Sequence, residues 1–167
     1  MIAFGSLSRI LIAQIIPGPN DRVGVWTQPS AKELLVIDKP DYIEMGTVPY
    51  LDWGYGLSPC CRDKSYPMLA IAWGRILQLA LYTNYKQSSG ADETPSLQYD
   101  GFYICESSID SCFFLTESIL FVLVNKKEVR ILYTQNFTPG LFDETYQLND
   151  MTGRNPAPKL QNQLDRK

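Results

Sequence analysis

Residues 68–82 read MLAIAWGRILQLALY, and how this stretch folds decides the fold of the chain. Leu and Ala are strong helix formers, so intrinsic propensity alone favours a helix here. Gly74 interrupts the middle of the run and no N-capping residue opens it, which argues instead for two strands joined by a tight turn at Trp73-Gly74-Arg75. The strands so defined are almost wholly apolar. Strands with one face in water alternate apolar and polar residues, whereas continuous apolar strands suit burial on both faces, as when sheets stack on each other.

Two further stretches repeat this design: IAFGSLSRILIAQII at 2–16 and ILFVLVNKKEVRILY at 119–133. Each passes from an apolar run through a polar or glycine-bearing break, Gly5-Ser6-Leu7-Ser8 or Asn125-Lys126-Lys127-Glu128, into a second apolar run, which is a hairpin pattern. Strand candidates precede the second and third hairpins at Val48-Pro49-Tyr50-Leu51-Asp52-Trp53 and Ile109-Asp110-Ser111-Cys112-Phe113-Phe114-Leu115, and Phe102-Tyr103-Ile104-Cys105 reads as an outer strand between them. The spacing suits four-stranded blades of about 40–50 residues that carry loop insertions. Val23 to Gly46 reads as one such insertion, with a single apolar burst, Leu34-Leu35-Val36-Ile37, closed by the turn signal Asp38-Lys39-Pro40. Thr83 to Tyr99, rich in Ser, Gln, Asp and Gly, reads as a mobile surface loop.

The expected fold is therefore all-β: about two to three antiparallel blades of an incomplete WD40-like β-propeller. The partial propeller covers 1–139, with hairpin units near 2–16, 48–105 and 109–134, and 140–167 reads as a linker or ragged C-terminal segment. A closed propeller needs about four to eight blades, so the chain is expected to be a fragment of a larger ring. The competing architecture is a self-contained small β-barrel or sandwich that binds a ligand or acts as a carboxylate-dependent enzyme.

Composition narrows function mainly by exclusion. With 167 residues, 45% of them apolar, the chain is long enough for one folded domain. A formal net charge of −3 provides no global cationic field for nucleic acid or anionic lipid. The sequence contains no histidine, which removes Ser-His and Cys-His nucleophiles, His-ligated zinc, His-ligated haem and imidazole switching. Cys60, Cys61, Cys105 and Cys112 are too irregularly spaced for a disulfide scaffold or zinc knuckles and read as reduced thiols. The apolar run Ile10 to Ile16 makes a poor signal peptide, being broken by Gln14 and preceded only by Arg9. Arg75 and Glu117 interrupt the two longest apolar runs, so any membrane role is peripheral.

Candidate chemistry is sparse. Asp38, Asp41 and Glu44 could be imagined as an acid/base pair or a hard-metal site, but Pro40 marks an ordinary turn and no Asp-rich loop surrounds them. Gly54-Tyr55-Gly56 lacks the third glycine and the lysine of a nucleotide loop and reads as a loop at a blade edge. Cys60-Cys61 is poorly placed for a strain-free disulfide. The sequon at Asn136-Phe137-Thr138 reads as a plain loop, and Lys126-Lys127 with Arg130 as solvated charge at a hairpin turn that guards a strand edge. Trp26, Trp53 and Trp73 supply aromatic surface, the latter two inside apolar strands. Trp53, Gly54, Trp73 and Gly74 are accordingly assigned structural roles; no residue is assigned to catalysis, cofactor or metal, and the partner-binding residues are unassigned.

The region Val48 to Tyr133 resembles the propeller of the vacuolar protein sorting-associated protein 8 family, the distinctive subunit of the CORVET endosomal tethering complex. The resemblance is carried by Val48-Pro49-Tyr50-Leu51-Asp52-Trp53-Gly54, by Tyr66-Pro67-Met68-Leu69-Ala70-Ile71-Ala72-Trp73-Gly74, and by Ser111-Cys112-Phe113-Phe114-Leu115 with the hairpin through Arg130-Ile131-Leu132-Tyr133. Propellers of the related HOPS subunits look alike at this level. The family's proteins carry an N-terminal WD40-like propeller, a long α-solenoid and often a RING domain, of which only part of the first is expected here. The resemblance implies a non-catalytic scaffold in vesicle-mediated protein transport. It would act in the cytoplasm, peripheral on the endosome or vacuole membrane, binding a Rab GTPase and other tether subunits and no nucleic acid. The matching residues build blades, so no Rab contact carries over to a position in this sequence.

The lack of histidine and of metal-ligand spacing generates the first testable expectation. Purified protein should hold no stoichiometric zinc or haem by elemental analysis and absorbance. Its four thiols should react with a thiol reagent on unfolding without prior reduction; a metal retained by the cysteines would overturn this.

Overall fold

The computed structural model describes residues 2–5, 10–18, 21–28, 32–39, 43, 47–59, 65–85 and 94–140. The first sheet contains β1 (Ile2–Gly5), β2 (Ile10–Ile16), β3 (Arg22–Gln28) and β4 (Lys32–Asp38), in that order. The second runs β5 (Tyr50–Leu57), β6 (Ser65–Trp73), β7 (Ile76–Tyr85) and β8 (Thr94–Ile104), with the two-residue β12 (Thr138–Pro139) added beyond β8. The third contains β9 (Ile109–Thr116), β10 (Ile119–Val124) and β11 (Glu128–Tyr133), with β10 central. All pairings are antiparallel. The chain is thus all-β, and among the described residues none of the three sheets closes on itself.

Stretch 68–82 forms most of β6 and most of β7, with Trp73 paired to Ile76 across the turn. Gly74 adopts φ +54° there, a left-handed conformation that a side chain disfavours, and it stands first in a two-residue hairpin turn where glycine is the usual solution. The two faces of β6 are buried in different cores. Leu69, Ile71 and Trp73 join Leu11, Ala13, Val23, Val25 and Ile37 of the first sheet. Met68, Ala70 and Ala72 join Cys112, Leu120, Val122 and Val124 of the third. The second sheet is therefore the middle layer of a stack, which explains why its strands lack the polar residues of a solvated face. Each fully buried Leu or Ile in these layers contributes about 1.5–3 kcal/mol relative to exposure.

The layers meet in register with the chain. β5 touches both β1 and β9, so the first strand of each sheet lies beside the first strand of the next, and β4 touches β8 at the other side of the first interface.

Three local expectations are corrected. Val23 to Gly46 is not an insertion: its first part is β3, which pairs with β2 along its whole length and with β4, completing a four-stranded meander. The alternation Val23, Val25, Thr27 inward against Gly24 and Trp26 outward explains this strand. Thr83 to Tyr99 is not a continuous loop, since β7 and β8 stay paired out to Tyr85 and Thr94 and Leu97 is buried between sheets. Finally, Phe102 to Cys105 contains only the end of the outer strand, which begins at Thr94.

The layering orders local stability, because amides exchange slowest where opening exposes the most buried structure. Native-state hydrogen exchange should find the slowest amides in β6 and β7, with β11 exchanging faster. Protection in β11 equal to that in β6 would contradict the middle-layer account.

Candidate interaction surface

The second and third sheets are joined along β5 and β9. On the face of β5 that meets β9, successive positions are Asp52, Gly54 and Gly56, while Trp53 between them points to the first-sheet core. The Phe114 backbone N–H donates to Asp52 Oδ2 at 2.7 Å. A Cβ on Gly54 would sit 2.2 Å from Phe114 Cγ, and one on Gly56 would sit 2.9 Å from Met68 Sδ and 3.1 Å from the Glu117 carbonyl oxygen. The two glycines thus form the seat on which β9 and the turn after it rest. Gly54-Tyr55-Gly56 is strand interior and not a loop at a blade edge. At the far end of the seam, Thr134 Oγ1 donates to the Leu57 carbonyl at 2.9 Å.

Burial pushes the half-buried Asp52 carboxyl above its ordinary pKa of 3.8, against the lowering effect of the Phe114 and Trp53 amides. The interface on the other face of the second sheet also buries polar atoms. Among the described residues, Trp53 Nε1, Trp73 Nε1, both amide atoms of Gln78 and the Tyr82 hydroxyl find no hydrogen-bond partner there, and a buried polar group left so costs stability.

The residues with chemical potential are scattered. Asp38 is exposed at the end of β4, and Asp41, Glu44, Cys60 and Cys61 lie outside the described residues. Among the described residues no three His, Cys, Asp or Glu side chains gather as a metal site. Cys105 and Cys112 are free and buried; burial raises Cys105 to about 11 and Cys112 to about 12, so both are neutral thiols at physiological pH and poor nucleophiles. Lys126 and Lys127 are exposed on the β10–β11 turn, where Asn125 and Lys126 have φ of 50° and 54°. Arg130 is not part of one cationic patch with them, because its Nε donates to Glu128 at 2.8 Å and a terminal nitrogen reaches Glu106 at 3.4 Å. Asn136 lies in a short 3₁₀ turn, with Phe137 buried next to it. Among the described residues no helix is long and apolar enough to cross a membrane.

An incomplete ring is expected to leave an apolar face uncovered at each end, but the residues of the outer face of the third sheet were not named from sequence. Phe113, Leu115, Val129 and Ile131 are 46%, 56%, 50% and 55% exposed, far more than their apolar character favours. Phe113, Phe121 and Ile131 are direct cross-strand neighbours, and the Phe113 and Phe121 rings stack with centroids 5.2 Å apart. A contiguous apolar patch of this kind marks an interaction surface more often than scattered single residues do. Its sequence signal was present in ILFVLV of β10, whose lack of polar alternation applies to both faces.

The β5–β9 seam yields a paired expectation. Gly54→Ala should lower stability by about 1–3 kcal/mol through overpacking, read as a lower denaturant midpoint, and adding Phe114→Ala should recover part of the loss by making room. An acid whose folded pKa is raised binds more protons folded than unfolded, so its contribution to stability falls as pH rises from 3.8 through the raised value. Asp52→Asn, which keeps an oxygen acceptor for the Phe114 amide, should remove that fall and leave neutral-pH stability equal or higher. Asp52→Ala, which strands the amide, should cost about 1–2 kcal/mol. Equal losses from the Asn and Ala variants would refute the assignment.

In comparisons with known proteins, no family model, no curated protein and no solved structure matches the chain.

Proposed function

We propose that the chain is a non-catalytic interaction scaffold: a run of consecutive WD40-like propeller blades in a subunit of an endosomal or vacuolar tethering complex. The observation that carries this reading is the stack itself. Three antiparallel meanders lie face to face, the first strand of each beside the first strand of the next, with the middle one sealed on both sides. Side-by-side sheets joined in this order are how propeller blades are arranged, and such rigid bodies present surface and loops to partners.

The chemistry of the described residues agrees with a scaffold. The two described cysteines are buried and protonated, and the most conspicuous surface feature is an apolar sheet face, not a cleft lined by titratable groups. The more specific reading, a Rab GTPase and other tether subunits as partners at the cytosolic side of an endosome or vacuole, rests on the sequence resemblance of Val48 to Tyr133. An overall acidic chain with Arg130 already paired to Glu128 and Glu106 is a poor ligand for nucleic acid.

Proximity labelling by the tagged protein in its own cells tests this directly. Enrichment of an endosomal Rab GTPase together with tether subunits is the expected result. Labelling confined to nuclear, secretory-lumen or metabolic-enzyme neighbours would overturn the tether reading.

A further inference from the structure

The two faces of the second sheet treat their polar groups differently. Gln78 is the cross-strand partner of Ile71 and shares with it the face that meets the first sheet. It is 1% exposed, yet among the described residues neither of its amide atoms finds a hydrogen-bond partner, and the same holds for Trp53 Nε1, Trp73 Nε1 and the Tyr82 hydroxyl on that face. Across the other face polar groups are joined. The Phe114 amide donates to Asp52, Thr134 Oγ1 donates to the Leu57 carbonyl, and the Ile109 amide at the start of β9 donates to the Gly74 carbonyl at 2.7 Å. The path of the chain adds to the contrast. Among the described strands it crosses between the first and second sheets once, from β4 to β5. Between the second and third it crosses twice, from β8 to β9 and back from β11 to β12, which pairs with β8.

We propose that the first sheet lifts from the second as a unit, a reversible opening of that seam during which the second and third sheets stay joined. The described pairings of β1 to β4 are all internal to the first sheet, so lifting it breaks none of their ladders. Each buried polar group without a partner disfavours the closed form by about tenfold, and lifting returns Trp53, Trp73, Gln78 and Tyr82 to water together. Parting the third sheet instead breaks the bonds across the β5–β9 seam and works against a chain fastened at both ends of that sheet. Apolar burial keeps the closed form in the majority, while the polar groups set how often the seam opens. A contiguous segment that opens below the free energy of global unfolding is a cooperative unit of the native state. The inference rests on the chemistry of the two seams and not on the tether reading, so a failure of the latter leaves it standing.

Thiol labelling of the full chain, read by mass spectrometry of each peptide, tests it with two matched reporters. Val25 in β3 and Val122 in β10 are both 0% exposed and face the second sheet from opposite sides. Val25→Cys therefore reports the first seam and Val122→Cys the second, each rate being normalised to that of the same cysteine in unfolded protein. Val25→Cys should label about tenfold faster than Val122→Cys or more. Its rate should also rise less steeply with denaturant, because opening one seam exposes less surface than unfolding the whole. Adding Gln78→Met, which removes the buried amide, should slow labelling at Val25→Cys by about tenfold. Equal rates and slopes at the two sites would overturn the proposal, as would faster labelling at Val122→Cys. So would a Gln78→Met substitution that leaves the Val25→Cys rate unchanged or raises it, which would mean that the amide is satisfied in the closed form. Each variant is checked for cooperative unfolding; where one fails, Val23→Cys, Val124→Cys or Gln78→Leu takes its place and is read by the same criteria.

Discussion

Burial of the second sheet on both faces is the constraint on which the other features depend. Once Leu69, Ile71 and Trp73 point one way and Met68, Ala70 and Ala72 the other, neither face tolerates water, and a layer is required on each side. The first sheet supplies one and the third the other. The close approach of these layers then dictates the residues at the contact: glycine at 54 and 56, where a Cβ would collide with Phe114 or Met68, and a carboxylate at 52, where the Phe114 amide would otherwise be buried without an acceptor.

That arrangement bears on what the molecule can do. Among the described residues, the polar groups at the layer contacts are taken up by structure or hidden. Asp52 holds a backbone amide, Ser58 donates to Asp100 at 2.6 Å, and the Trp53, Trp73 and Gln78 side chains are enclosed between the first two sheets. Among the described residues the exposed chemistry is that of sheet faces and turns.

Much of this architecture was legible in the sequence, for a physical reason. Continuous apolar runs broken by glycine or polar turns leave a strong mark, so the hairpin at 68–82 and the one at 119–133 could be placed from the run of apolar residues and the position of Gly74. The strands that escaped were those in which the pattern is diluted. β3 carries Gly24 on its outer face, and glycine reads as loop until its strand partners are known. The end of β7 and the start of β8 are rich in Thr, Asn, Ser and Gln, residues that mark a loop unless an adjacent strand extends the pairing. Gly54-Tyr55-Gly56 misled for a related reason: sequence shows that glycine gives freedom, but only the tertiary contact with Phe114 shows that it was needed for proximity. The apolar outer face of the third sheet was legible only in part, because composition cannot tell a second buried face from an exposed one.

The same sheet separates two modes of association that its geometry would otherwise allow. β11 is a strand edge, and an uncovered edge invites indiscriminate pairing with any extended chain. Along it Glu128 and Arg130 alternate with Val129 and Ile131, and Lys126 and Lys127 stand at its start. Charged side chains on an edge strand discourage a further strand from adding, since each addition has to desolvate or pair them. The apolar residues of the same strand point to the outer face instead. β11 therefore opposes strand addition through its backbone while turning Val129 and Ile131 to the outer face, so that contact made there would depend on side-chain shape and not on generic backbone hydrogen bonding.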